Sequence, residues 1–451
     1  MQSRIKIAIT THNRYEVFKK SFEMWNKFLP KGAEIIVVDD GSSEPVAEAN
    51  FRFAEAQGIS VAKNKCFELM GEADFYFLVD DDVYPITKNW FKPYVESGIN
   101  HLCLGFDTFS NGNKNGHTLV KSDKHFNYWK EPCGLMMMFT PICLEKAGGM
   151  DTRYKLWGGE HQQLSQRIHN LGLTPYPFMD VKEGLKMFYC YDQDQSSPRS
   201  VDANTRRRAW SQNRQLLIRD VTSQSYIPFK PLEDVYITTL FNHIVDPQRG
   251  EKWNADESVL DALVNSLKGK PLIVLTDSFE GSDGNTTYIT VKTTCNNPYW
   301  QRWLSIKEHL ESHRYNKVFI CDGADVVLMR DPFPHLQPGK LYLGDEQSQI
   351  IRNQWIMRNH PAQVYQKMYS IGATWRLLNA GLCGGYQDIV LRFVTLMAAH
   401  YTEHGKNDYT DMAGFNFIAY LHFKNSIVNG KQVNNAFKSY KDNGVCWFLH
   451  K

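Results

Sequence analysis

Residues 75–85 read FYFLVDDDVYP: five apolar residues, Phe75 to Val79, and then three aspartates in a row. A short run rich in aromatic and β-branched side chains reads as a buried strand. Side chains on a strand alternate faces, so Asp80 and Asp82 point together and Asp81 points away. Two carboxylates at a strand's end are a device for gripping a hard divalent cation such as Mg²⁺ or Mn²⁺. Taken alone, the triplet reads equally well as a solvated acidic turn.

The plan recurs along the chain. At 317–333 the sequence KVFICDGADVVLMRDPF again sets acids after an apolar strand, with Asp322 and Asp325 three apart. IKIAITTHNR at 5–14 and DVYITTLFNH at 234–243 both read as first strands running into polar turns. Strands alternating with helix-like stretches predict an α/β fold with mostly parallel sheets, in which ligands bind beyond the carboxyl ends of the strands. Both acidic clusters fall there. A polar, basic stretch followed by Pro228 and Pro231 puts a boundary near 222–232, and the chain is expected to form domains over 1–225 and 226–451.

Bulk properties narrow the function. A length of 451 residues suits two cores, and 51 Lys+Arg against 49 Asp+Glu exclude the overall positive field of a general nucleic-acid binder. Nine cysteines are scattered without a CxxC pair, which fits neither a disulfide framework nor a zinc site and suggests a reducing compartment. No apolar stretch approaches the ~20 residues needed to cross a bilayer, and the chain enters the strand RIKIAIT almost at once. The expectation is a cytoplasmic protein without stable membrane insertion, in a bacterium or in the cytosol of a virus-infected host.

Around the first cluster lie AITTHNR at 8–14, IIVVDDGSS at 35–43 and AKNKCFE at 62–68. At this spacing residues 4–220 resemble family 2 glycosyltransferases of the GT-A fold. The resemblance implies that Thr10 and Asp39 contact the base and ribose of a nucleotide sugar, that Lys63 lies near its diphosphate, and that Asp80 and Asp82 form a DxD metal motif. The residues agree with this, because Gly41 and Ser42 after Asp39 permit a tight turn against a ligand.

EKAGGMDTRYKLWGGEHQQLSQRIHNLG at 145–172 resembles the acceptor-side segment of galactosyl- and N-acetylgalactosaminyl-transferases. Leu164, Ile168 and Leu171 there have helical spacing. Inverting relatives place an Asp base after the WGGE glutamate, where this chain has His161. The open alternatives are His161 as base, Glu160 as base, or a retaining course that needs neither. Relatives also supply a metal-binding His some way downstream, but KMFYCYDQDQSSPR at 186–199 has none. Asp192 or Asp194 replaces it, or the ion is held by Asp80, Asp82 and the diphosphate alone, or the first site is degenerate.

The second half resembles the glycosyltransferase domain of lysyl hydroxylases, with LYLGDEQ at 341–347, LLNAGLCGG at 377–385, TDMAGFNFIAY at 410–420 and WFLHK at 447–451 in the expected order. The resemblance implies a metal triad of Asp322, Asp325 and His450, with Asn379 and Asp411 facing the sugar and Asp411 in a catalytic role. A capping Asp411 and turn glycines are the plainer reading of the same residues.

Between the halves, residues 199–219 carry six arginines and one acid, Asp202, with Trp210 among them. Three readings stand: a solvated helix, a lid whose Arg206 and Arg207 clamp the donor diphosphate, or a track for a polyanionic backbone. Together these resemblances imply a tandem GT-A, metal-dependent hexosyl- or pentosyltransferase using a UDP-sugar by preference and Mn²⁺ or Mg²⁺. Its acceptor is expected to be a glycan or a hydroxymethylated base in viral DNA. The rival readings are a glycan- or nucleic-acid-binding protein with degenerate sites and a nucleotidyltransferase. The latter is disfavoured because residues 8–20 lack a Gly-rich basic loop.

Overall fold

The computed structural model describes residues 3–450 apart from 116, 157, 197–200, 361, 404–409 and 437, and gives no side chains at 362 and 364. Of the sequence features above, Trp157 of the WGGE element, Arg199 and Lys451 fall outside the described residues. The chain divides into two compact units, Met1–Pro231 and Leu232–Lys451, rather than after residue 225. Among the described residues no helix is long and apolar enough to cross a membrane, and all nine cysteines are free thiols.

The first unit contains strands β1 (Ile5–Thr11), β2 (Glu34–Asp39), β3 (Phe51–Arg52), β4 (Phe75–Asp80), β5 (Val83–Pro85), β6 (His101–Cys103), β7 (Leu119–Ser122), β8 (Phe126–Trp129), β9 (Met136–Phe139), β10 (Met179–Val181) and β11 (Phe188–Cys190). Its helices are α1 (Tyr15–Lys27), α2 (Ile59–Met70), α3 (Lys92–Val95), α4 (Pro141–Lys146), α5 (Glu160–Asn170) and α6 (Ala203–Arg219). The main sheet has the order β3-β2-β1-β4-β9-β6. β1, β2, β3 and β4 run parallel, whereas β9 pairs antiparallel with β4 and β6. The sheet is therefore mostly parallel, as expected, with an antiparallel edge formed by β9 and β6.

Register places the site. β1 and β4 are paired so that Thr10 lies opposite Asp80, and β1 and β2 so that Thr11 lies opposite Asp39. The carboxyl ends of three parallel strands thus meet at one edge, where an α/β sheet leaves a crevice for ligand. Both faces of the sheet are covered. Phe18 and Trp25 of α1 pack on Ile7, Ile9, Phe77 and Val79 on one side, and Ala62, Cys66 and Phe67 of α2 with Leu164 and Ile168 of α5 pack on Ala8, Val38 and Leu78 on the other. The helical spacing of Leu164 and Ile168 in the sequence is this buried stripe.

The second unit contains β12 (Asp234–Leu240), β13 (Val245–Asp246), β14 (Glu251–Lys252), β15 (Leu272–Thr276), β16 (Gly281–Asp283), β17 (Thr286–Thr290), β18 (Lys317–Cys321), β19 (Val326–Leu328), β20 (Leu341–Gln349), β21 (Arg376–Tyr386), β22 (Ile427–Val428) and β23 (Phe448–His450). Its helices are α7 (Asp261–Leu267), α8 (Pro298–Ser312), α9 (Gln354–Asn359), α10 (Ala362–Gly372), α11 (Gln387–Glu403) and α12 (Met412–Phe423). Its eight-stranded sheet has the order β16-β17-β15-β12-β18-β21-β20-β22. β12 sits between parallel neighbours β15 and β18, with antiparallel β21 beyond, the arrangement that β1 has in the first unit.

Candidate functional site

A cavity of about 1080 Å³ opens at the carboxyl edge of the first sheet. That is at the upper end of small-molecule sites. Asp80 and Asp82 line it together with Thr10, Arg14, Asp40, Glu160, His161, Asp192, Arg206, Arg207 and Trp210. The alternation predicted for the aspartate triplet is visible: Asp81 is fully buried, accepts from Thr11 Oγ1 at 2.7 Å and pairs with Arg14. Arg14 Nη1 also donates to Asp82 Oδ2 at 2.9 Å. Burial pushes Asp81 up to about 7 against the pull of Arg14, and burial likewise raises Asp80 despite Lys63. Arg14 belongs to the quoted run AITTHNR, but nothing in its type or spacing tied it to acids 67 and 68 positions away.

Lys63 does not line the cavity. It lies beneath it, 1% exposed, with Nζ 3.1 Å from Asp80 Oδ1 and 3.6 Å from Glu160 Oε1. The sequence reading placed it against the diphosphate; the structure makes it the internal cation that holds two cavity carboxylates in place. Glu160 opens α5, and its Oε1 is 3.2 Å from His161 Nδ1. Burial opposes the charge of Glu160, but His161 and Lys63 outweigh it and hold the carboxyl at about 2. Glu160 is therefore a fixed anion at neutral pH.

Asp39 also departs from expectation. It is fully buried, its oxygens accept from the backbone N–H groups of Ser42 at 2.9 Å and Val46 at 3.3 Å, and Arg52 Nε lies 3.2 Å away. The carboxylate is spent on closing its own turn, and the next residue, Asp40, lines the cavity instead. Asp40 accepts from the N–H groups of Gln57 and Gly58 at 2.7 and 2.9 Å. Thr10 lines the cavity, and its Oγ1 is buried without a hydrogen-bond partner among the described residues. Of the two acids weighed as substitutes for a missing His, Asp192 lines the cavity and Asp194 does not; Asp194 bonds Ser110.

The basic segment forms α6, capped by Asp202, whose carboxylate accepts from the N–H groups of Asn204 and Thr205. Asn213 anchors the helix by donating to Gly158 O at 2.7 Å. This turns Arg206, Arg207 and Trp210 into the cavity wall. Exposed Arg208 and Arg214 remain on the outer face.

The second unit is arranged differently. Asp322 follows β18 and Asp411 precedes α12, and one guanidinium joins them: Arg302 Nη1 donates to Asp322 Oδ1 at 2.6 Å, while its Nη2 donates to Asp411 Oδ2 at 2.6 Å. Trp303 Nε1 donates to the same Asp411 oxygen at 2.6 Å. Asp411 thus accepts from two side chains and is 1% exposed. His450 Nε2 lies 3.7 Å from Asp322 Oδ2, and a Cβ at Gly381 would sit 2.5 Å from both side chains. Burial opposes the charge of Asp322, yet Arg302 and His450 hold it at about 2. Asp325 stands exposed in the following turn. Among the described residues no three His, Cys, Asp or Glu side chains are grouped to hold a metal ion, so the triad of Asp322, Asp325 and His450 is not assembled. Asn379 is engaged within the chain, donating to Glu346 Oε1 at 3.2 Å and accepting from Gly381 N–H at 2.7 Å.

A family model described as the N-terminal domain of galactosyltransferase matches residues 116–189, which include the loop before β9, Glu160 and His161. No curated protein matches the chain. Among solved structures, the mannosyltransferase PcManGT from Pyrobaculum calidifontis, in complex with GDP-Man and Mn²⁺, aligns at 13% identity with a TM-score of 0.29, over 40% of this chain and 57% of that one. GalNAc-T7 with UDP, GalNAc and Mn²⁺ aligns at 14% identity with a TM-score of 0.33, over 40% of this chain and 42% of that one. The chain thus spans less than two thirds of either structure.

Proposed function

We propose that the first unit is a glycosyltransferase that moves a sugar from a nucleotide-diphosphate sugar, a UDP-sugar by preference, to an acceptor hydroxyl with the help of Mn²⁺ or Mg²⁺. The observation that carries the reading is the turning of Asp80 and Asp82, side by side, into a cavity that also presents Arg206 and Arg207. The galactosyltransferase segment at 116–189 supports the same class.

The donor set suits a hard divalent ion, because the two cavity carboxylates supply anionic oxygen and leave room for phosphate oxygens. Asp80 and Asp82 would hold it, and when bound it supplies charge neutralisation for the departing diphosphate. Arg206 and Arg207 hold the phosphate oxygens through charge-assisted hydrogen bonds. His161 removes the acceptor's proton: Glu160 lies against its Nδ1, which orients the ring and leaves Nε2 as the basic nitrogen. Lys63 acts beneath the site, offsetting part of the cost of burying charge on Asp80 and Glu160 and holding both in place.

For the second unit we propose a binding or structural role without metal-dependent transfer, because Arg302 occupies the position between Asp322 and Asp411. The test is nucleoside diphosphate release from a UDP-sugar with Mn²⁺. We expect it to be lost in Asp82→Asn and retained in Asp325→Asn; activity that survives Asp82→Asn overturns the assignment.

A further inference from the structure

The cavity holds a second cluster of titratable side chains that the donor chemistry leaves unused. His117, Glu131 and His161 all line it, and His117 lies within electrostatic reach of the other two. The cluster is built, not accidental. Glu131 opens the loop that leads into β9, and that loop is pressed onto the His161 ring at Gly134, where φ is +76° and a Cβ would fall 2.6 Å from the imidazole. Only glycine allows this approach, so the loop that begins at Glu131 is held against the proposed base at Gly134.

His117 is half-buried, and its Nδ1 is sealed from solvent without a hydrogen-bond partner among the described residues. That atom faces the protein, so a ligand in the cavity meets the ring through its other edge. Three chemistries compete for the cluster. A metal is disfavoured, since the cluster offers one carboxylate and no three ligating side chains are grouped among the described residues, and the donor's phosphates that would complete a two-carboxylate site belong with Asp80 and Asp82. A phosphate is disfavoured at this wall, because the Glu131 carboxylate repels it. A neutral polyol fits: a carboxylate accepts from one hydroxyl, and an uncharged imidazole, one nitrogen donor and one acceptor, serves a second. Burial lowers the His117 pKa and His161 lowers it further, with Glu131 opposing, which favours that uncharged form.

We infer that His117 and Glu131 form the acceptor subsite of the first unit and select an uncharged, hydroxyl-bearing carbohydrate over a phosphate-flanked nucleic-acid base. This rests on the transferase reading of the same cavity. Nucleoside diphosphate release from UDP-galactose tests that reading separately. The subsite itself is tested on the full chain without donor, by saturation-transfer NMR with methyl β-glucoside, methyl β-galactoside and a single-stranded oligonucleotide carrying 5-hydroxymethylcytosine. We expect saturation of at least one glycoside and none of the oligonucleotide. The glycoside signal should fall at least fivefold in His117→Ala and in the nearly isosteric Glu131→Gln. Binding of the oligonucleotide alone, binding of neither probe, or glycoside binding unaltered in Glu131→Gln overturns the inference.

Discussion

Replacing Lys63 by Met tests the electrostatic frame of the first site. The ammonium is 1% exposed and lies 3.1 Å from Asp80 Oδ1 and 3.6 Å from Glu160 Oε1. At an effective dielectric of about 20, each contact is a gross attraction of roughly 5 kcal/mol. Much of that offsets the desolvation of three buried charges, so the net worth of the cluster is far smaller than the sum. Removing one partner is a different perturbation, because it strands the others, and costs about 3–5 kcal/mol for a buried pair. Met keeps the length and volume of the stem, which separates charge from packing. We therefore expect Lys63→Met to lower the stability of the first unit by about 3–5 kcal/mol in EDTA at neutral pH. The measurement is amide hydrogen exchange of Phe77 to Val79, in the centre of β4, on the full chain. Adding Glu160→Gln should recover about 1 kcal/mol or more, since it removes one stranded charge. A loss below about 1 kcal/mol in Lys63→Met, the level of an exposed pair, would refute the assignment of Lys63 as the cation that holds the site together.

The second unit should respond in the same way to Arg302→Met, losing about 3–5 kcal/mol as Asp322 and Asp411 lose their shared partner, with partial recovery in Arg302→Met/Asp411→Asn, read from urea unfolding. Mn²⁺ titration followed by electron paramagnetic resonance should count one ion per chain in the presence of UDP, lost in Asp82→Asn and unchanged in Asp325→Asn; two ions per chain would restore the second metal site. Alanine at Arg206 or Arg207 should raise the donor KM by about ten- to a hundredfold, the equivalent of about 1.5–3 kcal/mol for a charged hydrogen bond, while the urea midpoint stays put. His101 is buried against Phe139, within 2.8 Å of Ser165 Oγ and 2.9 Å of Met138 O, and burial lowers its pKa from 6.5 to about 4. The unfolded chain takes up this proton first as pH falls below 6.5, so the stabilisation is complete above 6.5 and is lost towards pH 4, by about 3 kcal/mol. His101→Asn should flatten the dependence of stability on pH in that window by about one proton.

Much of the architecture was legible along the chain. The apolar runs before Asp80 and Asp322 are strands that end at the predicted residues, and the two first strands, at 5 and 234, are central in their sheets. Local pattern suffices there, because a buried strand needs only a run of the right side chains. The facing matches the expected alternation, but β4 ends at Asp80, so Asp81 and Asp82 are placed by the turn into β5 and by Thr11 and Arg14.

What each carboxylate meets was decided elsewhere. Asp39 and Asp40 are adjacent and chemically identical, yet one closes a turn and the other lines a cavity, according to where Ser42, Val46 and Gly58 arrive. The two acidic clusters look alike as strings, but Arg302, 20 residues before Asp322 and 109 before Asp411, folds between those two acids. Lys63 reaches its site from α2, and His117 comes within electrostatic reach of Glu131 and His161 from another part of the chain. The sequence alone determined which segments are strands and which side chains share a face, since both follow from neighbours a few bonds away. Only the tertiary structure decided which charges are paired, because pairing depends on distances of a few ångströms between residues whose separation along the chain carries no such information.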